Sequence, residues 1–241
     1  MSIKKSINSF QIVGTLDEIN LQIEEEKEVV LKGNGKEKKI KCNVISKKDF
    51  KNPAVTVNTT CGGVVGVDVF PTYEKKLDED GKVVDNPRYK SLLAVLDFKP
   101  KETRVKVDAS LGVNEYVNDK GEYISISRLN AFTISHSNVP EEDCTDGDLS
   151  GIIKAIKDEI KNEEETGRKI VDYFYFDYNG NALPISLVVN EDLADDFENI
   201  YEVGSSCLLN VEVVSNVLKV KYVTKNMECS VKYIYGDKSV T

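Results

Sequence analysis

In the first half of the chain apolar residues recur mostly at every second position, the period of a strand with one buried face. "SFQIVGTLDEINLQIEE" (9–25) alternates through Phe10 and Ile12 and then Ile19, Leu21 and Ile23, with Gly14 at an expected bulge or bend. Further strands are expected at 38–46, 54–60 and 63–76, and Asp80-Gly81 between apolar-flanked runs marks a hairpin turn. The period then changes. In "NPRYKSLLAVLDF" (86–98) Tyr89, Leu92, Leu93 and Leu96 recur at three- and four-residue spacing, behind a capping Asn86 and a Pro87 suited to the first helical position. Segments 103–117 and 122–136 return to strand alternation and predict a long hairpin turning at "NDKG" (118–121).

Beyond residue 137 the pattern predicts a hinge in the polar, acidic "SNVPEEDCTDGDLSG". An amphipathic helix is expected next, with Leu149, Ile152, Ile153, Ile156 and Ile160 on one face. "KIVDYFYFDYNGNALPISLVV" (169–189) predicts a hairpin turning near Asn179-Gly180. A helix over 190–201, capped by Asn190 and ended by Gly204, precedes three strands in "CLLNVEVVSN", "VLKVKYVTK" and "CSVKYIYG". These elements divide the chain into a domain at 1–137, an acidic connector with a helix at 138–166, and a smaller β-rich domain at 167–241.

At 241 residues and 40% hydrophobic, the chain has enough apolar material for such cores. No run of 18 apolar residues occurs, and "MSIKKSINSFQ" lacks an apolar signal region, so neither secretion nor membrane insertion is expected. Five scattered cysteines without a CxxC pair, and a single histidine, give no metal-ligand pattern and fit reduced thiols in a cytoplasm. No cofactor motif is present: "GNGK" (33–36) lacks the spacing of a phosphate loop. Cys61 with His136 has no third orienting group, so no enzyme is expected. The net charge of −9 argues against a polyanion partner until its distribution is considered. Residues 1–137 carry 22 basic and 20 acidic side chains, so the acidity lies beyond them.

Strands, one helix and a closing hairpin follow the element order of the OB-fold, a five-stranded barrel. The pieces "INSFQIVGTL" (7–16), "GGVVGVDVF" (62–70) and "RVKVDASLGVNEYVNDKGEYISISRLNAFTI" (104–134) resemble the first, third and last strands of bacterial and phage single-stranded DNA-binding proteins. Asn8, Gly14 and Leu16 match that family's opening motif. Val105, Val107 and Leu111 match its closing strand, with Ala109 where the family tends to have Gly. The chain departs from the pattern in having no tryptophan, in long insertions at 26–53 and 74–86, and in ending "YGDKSVT" where an acidic tail is expected. The resemblance implies a divergent phage or mobile-element type.

Binding an unpaired strand takes aromatic faces for bases and cations for phosphates. With 118–121 as the turn, Tyr116 is expected opposite Tyr123, both facing out, with Arg128 turned toward the groove or rim by a bulge at Ser127-Arg128. Lys106 shares that face, Lys120 sits on the turn, and Phe70 and Tyr73 form a second aromatic site with Lys75 and Lys76 just beyond. The fold expected is mainly β: an OB-like five-stranded barrel, then a smaller β-rich domain that is itself a candidate OB-like fold. The function the resemblance implies is binding of single-stranded DNA without strong sequence preference, in phage or mobile-element replication or recombination. Replication or recombination proteins would be further partners, in a bacterial host cytoplasm. The rival reading is a structural or adaptor protein, such as a virion component, that meets a protein partner through the same face.

Overall fold

The computed structural model describes residues 6–33, 35–117, 121–137, 141–177 and 180–223, with backbone alone at 114–116 and 123–126. They fall into two compact units. One is Phe10–Thr145 with Val214–Asn216; the other is 6–9, Asp146–Val213 and 217–223.

The first unit contains β1 (Asn8–Ile19), β2 (Leu21–Gly33), β3 (Lys36–Lys47), β4 (Val55–Thr59), β5 (Gly63–Asp68), β6 (Thr72–Tyr73), β7 (Lys75–Leu77), β8 (Val83–Asp85), α1 (Pro87–Val95), β9 (Arg104–Val117) and β10 (Tyr123–His136). Five strands close in the order β1-β4-β5-β10-β9 and back to β1. The ring is antiparallel except where β10 runs parallel to β5, setting Leu129 beside Val67. With a helix between its third and fourth strands, this is the expected OB-fold. Alternate residues fill it: Ile12, Leu16, Val57, Val65, Val67, Val105 and Val107 are buried. Gly14 is required by the close approach of β4, because a Cβ there would stand 2.5 Å from the Asn58 carbonyl oxygen. The irregularity expected at Gly14 lies instead between Leu16 and Glu18.

The helix forms as its sequence dictates. Asn86 accepts a hydrogen bond from the Arg88 backbone N–H, Pro87 opens the first turn, and Tyr89, Leu92 and Val95 are buried. The Arg88 guanidinium donates to the Ala131 carbonyl at 2.8 Å, next to the register shift between Ala131 and Thr133.

The two insertions bury each other. β2 and β3 form a long hairpin whose Val29, Leu31, Cys42 and Val44 pack against Tyr73 and Leu77. The Lys36 ammonium at its tip donates to the Asp80 carbonyl at 2.7 Å, in the β7–β8 turn. Asp85 then ties this hairpin to α1, accepting from Lys75 at 2.7 Å and Lys90 at 2.9 Å.

The second unit contains β11 (Cys144–Lys161), β12 (Glu164–Phe176), β13 (Ala182–Val189), α2 (Glu191–Ile200), β14 (Ser206–Val214) and β15 (Val217–Tyr222). It closes in the order β11-β12-β13-β15-β14 and back to β11. β13 and β15 are parallel, and the helix again lies between the third and fourth strands, so this is a second OB barrel. The segment expected as an acidic connector with an amphipathic helix is therefore strand β11, and the domain begins near residue 146 rather than 167.

The physical reason is a pair of bulges, between Ile153 and Ala155 and between Asp158 and Ile160. The first adds one residue to β11, so a two-residue alternation acquires a three-residue step and imitates a helix, whereas the second sets Glu159 against Thr166, Gly167 and Arg168 of β12. Ile153 and Ile156 thus share a face although they are three apart, paired with Tyr173 and Val171. The last expected strand, 229–236, lies outside the described residues.

Two buried tyrosines of β12 differ in one respect. The Tyr173 hydroxyl donates toward the Leu149 and Cys207 carbonyls at 3.0 and 2.8 Å, whereas the buried Tyr175 hydroxyl has no hydrogen-bond partner among the described residues. Burial, and after it the Asp177 carboxylate, push the Tyr175 phenol well above its ordinary range.

Tyr175→Phe is expected to stabilise by about 1 kcal/mol and Tyr173→Phe to destabilise by about as much, read from urea unfolding midpoints. A second expectation concerns acid. Hydrogen bonds from Lys75 and then Lys90 lower the Asp85 carboxyl from 3.8 to about 2. A carboxylate held below its unfolded value stabilises above that value and loses the contribution as pH falls through the folded one. The stability difference between wild type and Asp85→Asn should therefore be present at neutral pH and vanish as pH drops from 3.8 through about 2.

Candidate functional site

Strand alternation points Val65 and Val67 of β5, and Leu129 and Ala131 of β10, into the first barrel. Asp68, Arg128 and Asn130 consequently point out. The parallel register places Asn130 beside Asp68, and Arg128 Nη1 donates to Asp68 Oδ2 at 2.6 Å. The other oxygen, Oδ1, accepts from Lys47 Nζ at 2.8 Å and from the Ala54 backbone N–H at 3.2 Å. One carboxylate therefore joins the end of β3, the start of β4, β5 and β10.

The same lysine orders the loop between β3 and β4, donating to the Phe50 and Asn52 carbonyls at 3.2 and 3.1 Å. Asn20 holds the loop from the other side through the Asp49 and Pro53 carbonyls, at 2.7 and 3.1 Å. On this fixed loop the Phe50 ring is 68% exposed. Phe70, just past β5, is 59% exposed, although burial is the ordinary fate of phenylalanine.

Phe50, Phe70, Arg128, Asn130, Lys47 and Asp68 line a groove of about 300 Å³ on the outer wall of the barrel. Gly112 faces Arg128 across the β9–β10 ladder, and a Cβ there would meet Asn130 Nδ2 at 2.5 Å, so the glycine leaves room for that amide. Lys47, Asp68 and Arg128 side chains are only 10%, 12% and 19% exposed. Among the described residues Arg128 has Asp68 as its one protein partner, through Nη1, and Nε and Nη2 keep donors to offer.

The other expected site residues fall elsewhere. The register pairs Tyr116 with Ile124 and Tyr123 with Val117, so the two tyrosines are not directly opposed as expected; their side chains, and Lys120, lie outside the described residues. The bulge expected at Ser127-Arg128 is at Ala131–Thr133, and Arg128 reaches the groove by ordinary alternation. Tyr73 packs on the β2–β3 hairpin. Lys106 Nζ is engaged by Glu141 at 3.2 Å. The Ser137 hydroxyl, and then Lys106, hold the Glu141 carboxyl below its usual range.

Among the described residues no three of His, Cys, Asp and Glu converge as metal ligands would. The Cys61 thiol is 4.0 Å from the Thr145 hydroxyl, and the His136 ring packs tilted at 53° against Phe98, centroids 4.2 Å apart. Phe50 and Lys47 are the groove residues that strand periodicity does not place, and Asp68 and Asn130 fall on the outward parity with no further mark of a site in the sequence. The available signal is the aromatic inside the lysine run "KKDFK" (47–51).

The YorF family matches residues 6–239, nearly the whole chain. No curated protein matches it. Solved structures share its fold, two of them of one protein. A deletion and substitution variant of the single-stranded DNA binding protein from Thermus aquaticus is 11% identical over 93% of this chain and 94% of that one, with a TM-score of 0.51. The wild-type protein is 12% identical over 98% of each chain, with a TM-score of 0.50.

Removing the shared carboxylate leaves two nearly buried cations unpaired. Asp68→Ala is expected to lower stability by about 3–5 kcal/mol, and Asp68→Asn by less because its amide oxygen still accepts one bond, both measured by urea unfolding.

Proposed function

The chain belongs to the YorF family, and for this member of it we propose sequence-tolerant binding of single-stranded DNA in the groove of the first barrel. An OB barrel alone does not select a ligand. The observation that carries the reading is the pair of exposed phenylalanines, Phe50 and Phe70, flanking an arginine with free donors. The groove lies on the outer wall at the third barrel strand, beside the segment linking the first and second, the region through which OB-folds take oligonucleotides. Flat rings accept any base by its π-face, and the fixed loop carrying Phe50 reduces the ordering cost.

The likeness of the two Thermus aquaticus structures, each a single-stranded DNA binding protein, supports the reading at the level of fold. The resemblance of the barrel strands to the bacterial and phage family, with long insertions, supports a setting in phage or mobile-element replication or recombination. Its protein partners would belong to the same machinery, in the host cytoplasm. The chemistry asked of the groove is binding, with no catalytic step.

The test is a titration of fluorescently labelled oligo-dT of about 30 nucleotides, long enough for two barrels at ~4–16 nucleotides each, followed by anisotropy. Binding at low salt should weaken as salt rises, with a slope of about −0.7 per phosphate contacted. Phe50→Ala and Phe70→Ala should each cost roughly 1–3 kcal/mol, or about 5- to 150-fold in affinity. No binding at low salt would sink the proposal and leave the groove to a protein partner, as in a structural or adaptor protein.

A further inference from the structure

The arginine in the groove is placed to do more than attract phosphates. Its charge is already met by the Asp68 carboxylate at 2.6 Å, and Lys47, the other cation of the groove, has three acceptors within 3.2 Å. Neither cation is a free charge waiting for a phosphate. What the groove leaves open is directional: the Nε and Nη2 donors of a guanidinium fixed in orientation by Asp68, the Asn130 side-chain amide, which has no protein partner among the described residues, and two apolar rings. At about 300 Å³ the groove is at the small end of ligand pockets, which run roughly 300–1,000 Å³.

We infer that this groove reads a base edge, and that the base it prefers is guanine. The inference rests on the proposed binding of single-stranded DNA and specifies what one position of the strand contributes. On the edge that faces away from pairing, guanine alone among the four bases carries two adjacent acceptors, O6 and N7, and a guanidinium meets them with two parallel N–H donors. Adenine sets a donor, its N6 amino group, beside N7 and would face donor with donor, thymine has no adjacent acceptor pair, and cytosine has one, O2 and N3 on its pairing edge, but offers the two phenylalanines a smaller ring to stack on. Guanine also carries N–H donors on its pairing edge, for which the Asn130 amide oxygen is an acceptor. Asp68 is the positioning residue: it occupies Nη1 and so fixes which edge of the guanidinium faces the groove. The remaining nucleotides bind by stacking without discrimination, so the preference belongs to one site on a tolerant surface.

The experiment uses the full chain and oligo-dT probes in which one central residue is replaced by guanine, adenine, cytosine or 7-deazaguanine, the last lacking the N7 acceptor; a cytosine probe that binds as tightly as the guanine probe would overturn the inference. The guanine probe should bind about 5- to 150-fold more tightly than the adenine or all-thymine probe, the discrimination typical of a bidentate pair. Substituting 7-deazaguanine should remove most of the gain. In Arg128→Lys, which keeps a cation for Asp68 but loses the fork, the guanine-to-adenine ratio should fall toward one. Equal binding of the guanine, adenine and thymine probes would overturn the inference, as would a preference that survives 7-deazaguanine or Arg128→Lys. The 7-deazaguanine comparison needs no variant, so it decides even if Arg128→Lys folds poorly. Oligo-dT binding with no guanine preference overturns this inference alone, whereas no binding of any probe at low salt overturns the proposed function beneath it.

Discussion

The groove depends on one carboxylate. Asp68 accepts from Lys47, from Arg128 and from the Ala54 backbone, so one side chain at the end of β5 holds the root of the β2–β3 hairpin, the entry to β4 and the outer face of β10. Three charged groups in so sheltered a position are costly to desolvate, and their attraction offsets that cost only with good geometry and further hydrogen bonds. Here Lys47 finds the Phe50 and Asn52 carbonyls as well, which closes its hydrogen-bonding shell and fixes the loop on which Phe50 stands. The rings are exposed because the chain around them is held by polar contacts rather than by burying them.

Both units solve the same topological problem. Each is a five-strand ring closed by a parallel pair next to a helix, β5 with β10 in the first and β13 with β15 in the second. Closure removes the sheet edges that would otherwise invite further strands. The first barrel adds two long insertions, and their apolar faces pack on one another through Val29, Leu31, Cys42 and Val44 with Tyr73 and Leu77.

Charge is distributed in a way that composition hides. Many of the cations of the first unit are already engaged: Lys106 by Glu141, Arg104 by Asp143, and both Lys75 and Lys90 by Asp85. A net charge of −9 together with locally neutralised lysines moves the weight of recognition from long-range attraction to contact. Exposed phenylalanines and directional donors supply contact of that kind.

Residues whose meaning is local were legible from the sequence alone. Asn86 and Pro87 start α1, alternation marks β9 and β10, and the strand, helix and strand order announces a barrel, because caps and side-chain periods act within a few residues. Phe70 could be named as an outward candidate on the same ground, and Arg128 only through a bulge that lies instead between Ala131 and Thr133. Tertiary structure decided everything that needs a partner strand. The bulge of β11 at Ile153–Ala155 turns a strand into an apparent helix, and the register of the closing hairpin sets Tyr116 against Ile124 rather than Tyr123. The ion pair that orients Arg128 joins residues 60 positions apart, and the loop that exposes Phe50 is fixed by Asn20 from β1's far end. Pairing register and long-range charge contacts are set by the closed barrel as a whole, and no window of sequence contains them.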